Sequence, residues 1–180
     1  EMIRYFEDYA RRHGALLTLL LPFQISFYRR MGYGFAGKLY EYHLPTAVLP
    51  KPDGEARRHL RLLQPGDFDR VLACHSRFAA QNHGMVEKFE EEVRAARTDV
   101  QVRRIGYCAD DGTLRGYVAY RFESASDTNY TRNRLSVEEL VYDDGVVLRA
   151  LLGALKLQED LAQTVRLRTG EEDFHHLLED

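Results

Sequence analysis

Apolar residues near the start of the chain follow two different patterns. Phe6 and Tyr9 belong to a set with helical spacing, which predicts an amphipathic helix over residues 2–13 that ends at Gly14. Residues 15–21 instead form an almost continuous apolar run. Such a run is typical of a strand that is buried on both faces of a sheet. The pattern therefore predicts a helix followed by a central strand.

The predicted strand stops abruptly at Pro22. Residues 26–31 then have the length of a short helical turn, and Gly32 can end that turn in a left-handed conformation. Residues 33–44 contain apolar and aromatic residues such as Phe35, Leu39 and Tyr40, which favours one or two further strands, and Gly34 and Gly37 favour a bulge or sharp bend among them. Tyr28 lies on the short turn, just beyond the carboxyl end of the predicted strand. Open α/β sheets bind ligands at this edge, so we take Tyr28 as a candidate chemical residue.

A proline-rich segment over residues 45–55 holds three of the five prolines and predicts a linker between domains. Beyond it the pattern predicts a mixed set of elements. The strands are expected near residues 58–63, 102–108, 114–122, 135–142 and 163–168, and the helices after Asp67 and over residues 87–97 and 146–160. Asp110, Asp111 and Gly112 mark a hairpin. A turn is expected at His83 and Gly84 and a polar loop over residues 124–133, and the fold class is a mixed α/β sheet.

Composition limits the classes of function. The net charge is −3 with no basic cluster, so nucleic acid is not an expected partner. The apolar run is too short to cross a bilayer, and no membrane association is expected. Cys74 and Cys108 lack the spacing of metal ligands and are interpreted as reduced thiols, which favours a cytoplasmic location. His75 is interpreted as a core residue, and no metal site is expected.

The sequence FYRRMGYG at residues 27–34 resembles a motif of the GNAT acyltransferases, a Phe-Tyr pair followed by three variable residues, Gly and an aromatic. Together with the linker and a second set of GNAT-like elements, it is similar to the bacterial enhanced-intracellular-survival type of acetyltransferase. That resemblance implies tandem GNAT domains and a sterol-carrier-like domain after them. Residues 1–44 would then be the end of a catalytic copy, and residues 56–180 a second, degenerate copy that is incomplete at its C-terminus.

The resemblance also implies a reaction, the transfer of an acetyl group from acetyl-CoA to a primary amine. Tyr28 would be the general acid, and Ser26, Phe27 and Arg30 would line the acyl-CoA site. A phenol with a pKa of about 10 stays protonated at neutral pH and can donate to a thiolate with a pKa of about 8.5. In the alternative interpretation, Tyr28 is an ordinary packing aromatic.

The expected phosphate-binding loop of the catalytic copy would precede Glu1, so we expect the chain to be an internal fragment that is inactive by itself. The matching loop of the second copy carries Asp143, Asp144 and Gly145. Two carboxylates repel a pyrophosphate, and the second copy is therefore expected not to bind CoA. A homo-oligomer is the expected assembly. The alternative function is a non-catalytic GNAT-like scaffold or ligand-binding module.

Overall fold

The computed structural model describes residues 2–82, 85–125 and 133–178. The chain forms two compact units, Glu1–Lys38 and Leu39–Asp180. The predicted turn at His83 and Gly84 and most of the predicted loop over residues 124–133 lie outside the described residues.

The first unit contains two helices, α1 (Met2–Arg12) and α2 (Ile25–Arg29). Gly14 and Gly32 follow them with φ angles of 79° and 93°. Because a side chain is strained in this left-handed region, glycine is the residue that ends a helix there at least cost. The predicted helix, the predicted short turn and both predicted helix ends are confirmed.

The prediction of a buried strand over residues 15–21 is wrong. This segment has no regular secondary structure, and most of its leucine side chains are exposed. A strand requires a neighbouring strand to pair its backbone N–H and C=O groups, and the described residues of the first unit contain none. The apolar composition was identified correctly, but the described residues of this unit do not supply the hydrogen-bond partner that the strand would need.

In the described part of the chain, the second unit is built on one sheet of six strands. The strands are β1 (Tyr40–Pro45), β2 (Leu60–Leu62), β3 (Arg103–Cys108), β4 (Leu114–Ser124), β5 (Asn133–Tyr142) and β6 (Thr164–Thr169). Their order is β1-β6-β5-β4-β3-β2, with β5 and β6 parallel and every other pair antiparallel. The predicted mixed α/β sheet is confirmed, as is the hairpin, which turns at Gly112 with a φ of 83°.

The described residues of this unit also form four α-helices, namely α3 (Ala56–His59), α4 (Phe68–Gln81), α5 (Glu90–Thr98) and α6 (Gly145–Lys156). The strand predicted over residues 58–63 is shorter than expected because α3 occupies its first part. The strand or strands expected over residues 33–44 are likewise reduced to β1.

Two apolar layers cover the sheet. On one face α6 buries its leucines against Val118, Tyr120 and Leu135. On the other face α4 places Val71 and Cys74 against the side chains of β4 and β5. Removing this much apolar surface from water is the main favourable contribution to folding.

The proline-rich segment packs against the second unit. The Thr46 hydroxyl donates a hydrogen bond to the Ala162 carbonyl at 2.7 Å, and Leu49 is fully buried. A Cβ atom added at Gly153 of α6 would lie 2.7 Å from the Pro52 ring, so this glycine permits a close approach. Because β1 pairs with β6, the structural division at residues 38 and 39 falls earlier than the predicted linker. The assignment of the two pieces to two copies of one fold stays a prediction.

The parallel strands β5 and β6 separate after a short paired region. Their pairing covers only Arg134 to Ser136 on β5 and Thr164 to Arg166 on β6. Beyond these residues both strands continue towards their carboxyl ends without pairing to each other. This opening is the feature of the fold that positions a cavity in the second unit.

Candidate functional site

Tyr28 is held on α2 by aromatic rings. Its ring lies 5.5 Å from Phe23, 5.2 Å from Phe27 and 6.0 Å from Tyr33, in edge-to-face arrangements. Such contacts favour a defined ring orientation. No hydrogen bond of the Tyr28 hydroxyl occurs among the described residues. The side chain is half-buried. Its ring is packed against these neighbours, and its hydroxyl has no hydrogen-bond partner among the described residues.

The other predicted site residues of the first unit lie on or beside the same helix. Phe27 is half-buried in the aromatic cluster, while Ser26 and Arg30 are exposed. The backbone N–H of Arg30 donates to the Ser26 carbonyl and closes the last turn. All four residues are therefore neighbours on one short element, as the sequence predicts, and their roles stay predictions.

A cavity of about 520 Å³ occupies the opening between β5 and β6 in the second unit. Residues 137–142 of β5 line one side, and residues 168–171 at the end of β6 line the other. Side chains of α4, including His75 and Phe78, form a further wall. Its size is in the range of small-molecule sites, and it lies at the carboxyl ends of two parallel strands.

A partly buried polar cluster supports the wall of this cavity. The Tyr117 hydroxyl donates to Glu139 at 2.6 Å, and the Lys88 ammonium donates to the other oxygen of the same carboxylate. Burial raises the pKa of Glu139, but the hydrogen bonds from Lys88 and Tyr117 outweigh burial and leave the pKa below its usual value. The carboxylate is therefore held ionised with a donor on each oxygen, and its lowered pKa makes it a poor general base.

His75 lies beside this cluster and is only 6% exposed, as predicted for a core histidine. Burial lowers its pKa, and the nearby Lys88 ammonium lowers it further, against the opposite influence of Glu139, Glu92 and Glu87. The neutral ring is therefore the favoured form at neutral pH. Burial also raises the pKa of the Cys74 thiol to about 11, so this cysteine is a reduced and unreactive core residue.

The sequence did not predict the contact between Lys88, Tyr117 and Glu139. One signal was present, namely two consecutive carboxylates, Glu138 and Glu139, between the apolar residues Val137 and Leu140 of a strand. Alternation along a strand places one of the two on the buried face, where a carboxylate requires a partner. The identity of that partner could not be derived, because Lys88 and Tyr117 come from other elements.

The N-terminus of α6 is closed by side chains of its own loop. The Asp144 carboxylate accepts a hydrogen bond from the Val147 N–H at 2.9 Å. It also forms an ion pair with Arg115 at 2.8 Å. Arg115 and Arg77 also approach Asp143, at 3.6 and 3.9 Å. The Val147 N–H holds the pKa of Asp144 below its usual value, and Arg115 adds to this. A negative group already occupies the position at which a helix N-terminus would bind phosphate.

A second cavity, of about 710 Å³, lies beside α3 and the β3–β4 hairpin. His59 contacts the Cys108 carbonyl at 3.0 Å, and Arg70 reaches the Cys108 sulfur at 3.5 Å and the Gly112 carbonyl at 2.5 Å. Asp67 accepts a hydrogen bond from Arg70. The contacts of Arg70 join α4 to the hairpin, so His59, Arg70 and Asp67 have structural roles in this cavity.

Among the described residues, no group of three or more His, Cys, Asp or Glu side chains is arranged to hold a metal ion. In the same part of the chain, every helix is too short or too polar to cross a membrane.

The sequence profile of the acetyltransferase (GNAT) domain matches residues 82–180. Similar solved structures include a GCN5-related N-acetyltransferase from Anabaena variabilis (TM-score 0.82, 14% identity, 99% of this chain and 45% of that chain covered). A GCN5-related N-acetyltransferase from Kribbella flavida has a TM-score of 0.72 and 24% identity, with 99% and 42% covered. Eis1 from Mycobacterium abscessus has a TM-score of 0.71 and 24% identity, with 98% and 46% covered.

These similarities establish the fold, and the chain spans less than half the length of each of the three proteins. A search of curated protein sequences found no match.

Proposed function

The chain belongs to the GNAT acetyltransferase family. From this premise we propose that it takes part in the transfer of an acetyl group from acetyl-CoA to a primary amine. The family match over residues 82–180 is the observation that carries the reaction class. The acceptor would be a small molecule, a peptide or a protein lysine. The resemblance of residues 27–34 to a GNAT motif supports placing the chemistry in the first unit.

In the proposed reaction the neutral amine attacks the thioester carbonyl, a C–N bond forms, and the C–S bond breaks. The attacking nitrogen loses a proton, which a base or solvent water must accept. The departing sulfur gains a proton, which Tyr28 would donate before regaining one from water. The packed ring and the available hydroxyl described above suit this task. Ser26, Phe27 and Arg30 would contact acyl-CoA beside it, and the Arg30 guanidinium is suited to the anionic part of that molecule.

We infer that the second unit does not use acyl-CoA. Its α6 N-terminus, which would receive a pyrophosphate, already holds Asp144 and lies beside Asp143. Adding a pyrophosphate would bring like charges together and break the cap of the helix. The second unit would instead serve as a structural partner or a wall for the acceptor.

A non-catalytic scaffold is the second candidate function, and one observation favours it. The family match lies entirely within residues 82–180, a region that lacks Tyr28 and whose helix N-terminus is closed to phosphate. A protein that retained this fold without turnover would fit the same data. Homo-oligomerisation, a cytoplasmic location and a sterol-carrier-like domain stay predictions under either function.

The test is acetyl-CoA turnover by the natural full-length protein with a panel of primary amines, comparing Tyr28→Phe with Tyr33→Phe. Removing a general acid typically costs about 100-fold or more in rate, so we expect at least that loss of kcat for Tyr28→Phe. Tyr33→Phe removes a hydroxyl from the same aromatic cluster and should retain most of the rate. Unchanged turnover by Tyr28→Phe would exclude the general-acid role. Absence of turnover with every amine would favour the scaffold.

A further inference from the structure

The cavity beside α3 and the β3–β4 hairpin has three guanidinium groups in its lining, and they are not equivalent. The Arg70 guanidinium is compensated, because it pairs with Asp67 at 2.8 Å and donates to the Gly112 carbonyl at 2.5 Å. The other two groups belong to Arg58 and Arg61. No ion pair of either residue occurs among residues 2–82, 85–125 and 133–178.

The Arg61 guanidinium is held in place by neutral acceptors. One of its nitrogens, Nη1, donates to the Arg58 carbonyl at 2.5 Å and to the Leu60 carbonyl at 2.9 Å. These carbonyl oxygens satisfy the N–H donors but do not neutralise the positive charge. The other two nitrogens, Nε and Nη2, have no hydrogen-bond partner in the described part of the chain. The group therefore has a fixed position, with one pair of donors left for another acceptor.

Arg58 lies beside this group, because the Arg61 guanidinium is bonded to the Arg58 main chain. Both side chains line the same cavity. Two positive charges that share a small region without a paired carboxylate repel each other. A ligand with two negative charges would relieve this repulsion and gain free energy from both groups.

The two other carboxylates of the lining do not cancel these charges. Asp110 has a side chain that is 99% exposed, and its cationic neighbour is His59, at 3.8 Å. Glu55 is exposed, and it forms no ion pair with either guanidinium among the described residues. Because solvent and salt weaken the effect of an exposed charge, one carboxylate beside the cavity leaves the two guanidinium groups uncompensated.

The cavity also has an apolar part. Leu62 and Leu63 contribute to its lining, and Leu62 is 60% exposed. A short methylene segment would cover some of this apolar surface and remove it from water. The volume of about 710 Å³ is within the range of small-molecule sites. The lining therefore suits a ligand whose charged ends are joined by a short apolar chain.

We propose that this cavity binds a small dicarboxylate, with one carboxylate on the Arg58 guanidinium and the other on the Arg61 guanidinium. Paired N–H donors of a guanidinium match the two oxygens of a carboxylate, and Nε and Nη2 of Arg61 form such a pair. The methylene segment would lie against Leu62 and Leu63. This binding site goes beyond the proposed acyl transfer and does not depend on it, because no covalent step is involved.

The experiment uses the 180-residue chain and three probes with a chain of four carbons, succinate, succinamide and 1,4-diaminobutane. Binding is measured by chemical-shift perturbation at constant ionic strength. Succinate is expected to bind with a Kd of about 1 mM and to perturb α3, β2 and the hairpin near residues 108–112. Equal or tighter binding of either other probe at these residues would overturn the proposal. So would no binding of succinate up to about ten times that concentration.

Substitutions separate binding at the two guanidinium groups from a general effect of charge. Arg58→Gln and Arg61→Gln should each weaken succinate about threefold to fivefold, and the spectra show whether each variant is folded. Arg61→Lys keeps the charge and loses the paired donors, so its affinity should lie between those of the wild type and Arg61→Gln. Arg57→Gln is the matched control, because Arg57 is an exposed residue of α3 outside the cavity lining. Wild-type affinity in either glutamine variant of the cavity, or an equal loss in Arg57→Gln, would show that the proposed contacts are wrong.

Discussion

Two leucine-rich segments of similar composition have opposite environments. In α6 the side chains of Leu151, Leu152 and Leu155 are 0% exposed, because the helix lies against the sheet. In the first unit Leu16 and Leu21 are 102% and 92% exposed. The difference shows that the side chains of an apolar run need another surface to pack against. Whether the run becomes a strand, a helix or neither depends on which partner is present.

The first prediction tests this comparison with the largest expected effect. Leu151→Ala removes a fully buried side chain and leaves a cavity, so we expect a loss of about 2–5 kcal/mol in the free energy of unfolding of the second unit. Leu17→Ala, at a position that is 72% exposed, should change it by less than about 0.5 kcal/mol. Urea denaturation monitored by circular dichroism measures both. A comparable loss for the two variants would mean that Leu17 is covered in solution and would remove the contrast.

The second prediction concerns the N-terminus of α6, the helix end of the second unit at which a phosphate would be expected. The α6 N-terminus is closed by Asp144, so Asp144→Ala should lower the free energy of unfolding by about 1 kcal/mol through loss of the cap. Asp144→Asn retains an acceptor for the Val147 N–H and should lose less. Thermal and urea denaturation of the three proteins provide the measurement. Equal stability of the wild type and the alanine variant would show that the cap contributes nothing.

Local signals account for most of what the sequence predicted correctly. Gly14, Gly32 and Gly112 each occupy a left-handed position that follows from a helix end or a hairpin, and neighbouring residues are sufficient to recognise such positions. The short turn that carries Tyr28 was predicted for the same reason. Residues 15–21 were misjudged because a strand is defined by its partner, which the local pattern does not contain.

The same difference between local and long-range signals separates the two candidate sites. Ser26, Phe27, Tyr28 and Arg30 are neighbours in sequence, so their grouping on α2 and its C-terminal end was predictable. The cavity between β5 and β6 depends on where two strands stop pairing, and its wall is assembled from α4, β5 and the residue 168–174 segment. Long-range geometry of this kind is set by packing, and a single sequence does not reveal it.

The last prediction, with the smallest expected effect, concerns His75, which lies beside the polar cluster of Lys88, Tyr117 and Glu139 that the sequence did not predict. His75 faces Lys88, Glu139, Glu92 and Glu87, and burial together with Lys88 lowers its pKa in the folded state below 6.5. Between that lowered pKa and 6.5, the unfolded chain binds more protons than the folded chain, so stability falls as the pH falls. The contribution of His75 is complete above about pH 6.5 and is lost progressively below it.

Replacing His75 by Gln should therefore flatten the decrease in the free energy of unfolding between pH 7 and pH 5, whatever its effect at neutral pH. His175→Gln removes a histidine from the exposed C-terminal segment and serves as the matched control, for which the wild-type decrease is expected. Urea denaturation at half-unit pH intervals measures the slope for all three proteins. A slope that survives in His75→Gln would assign the acid sensitivity to another group. The partly buried cluster would then be a fixed structural element of the second unit, with no response to pH in this range.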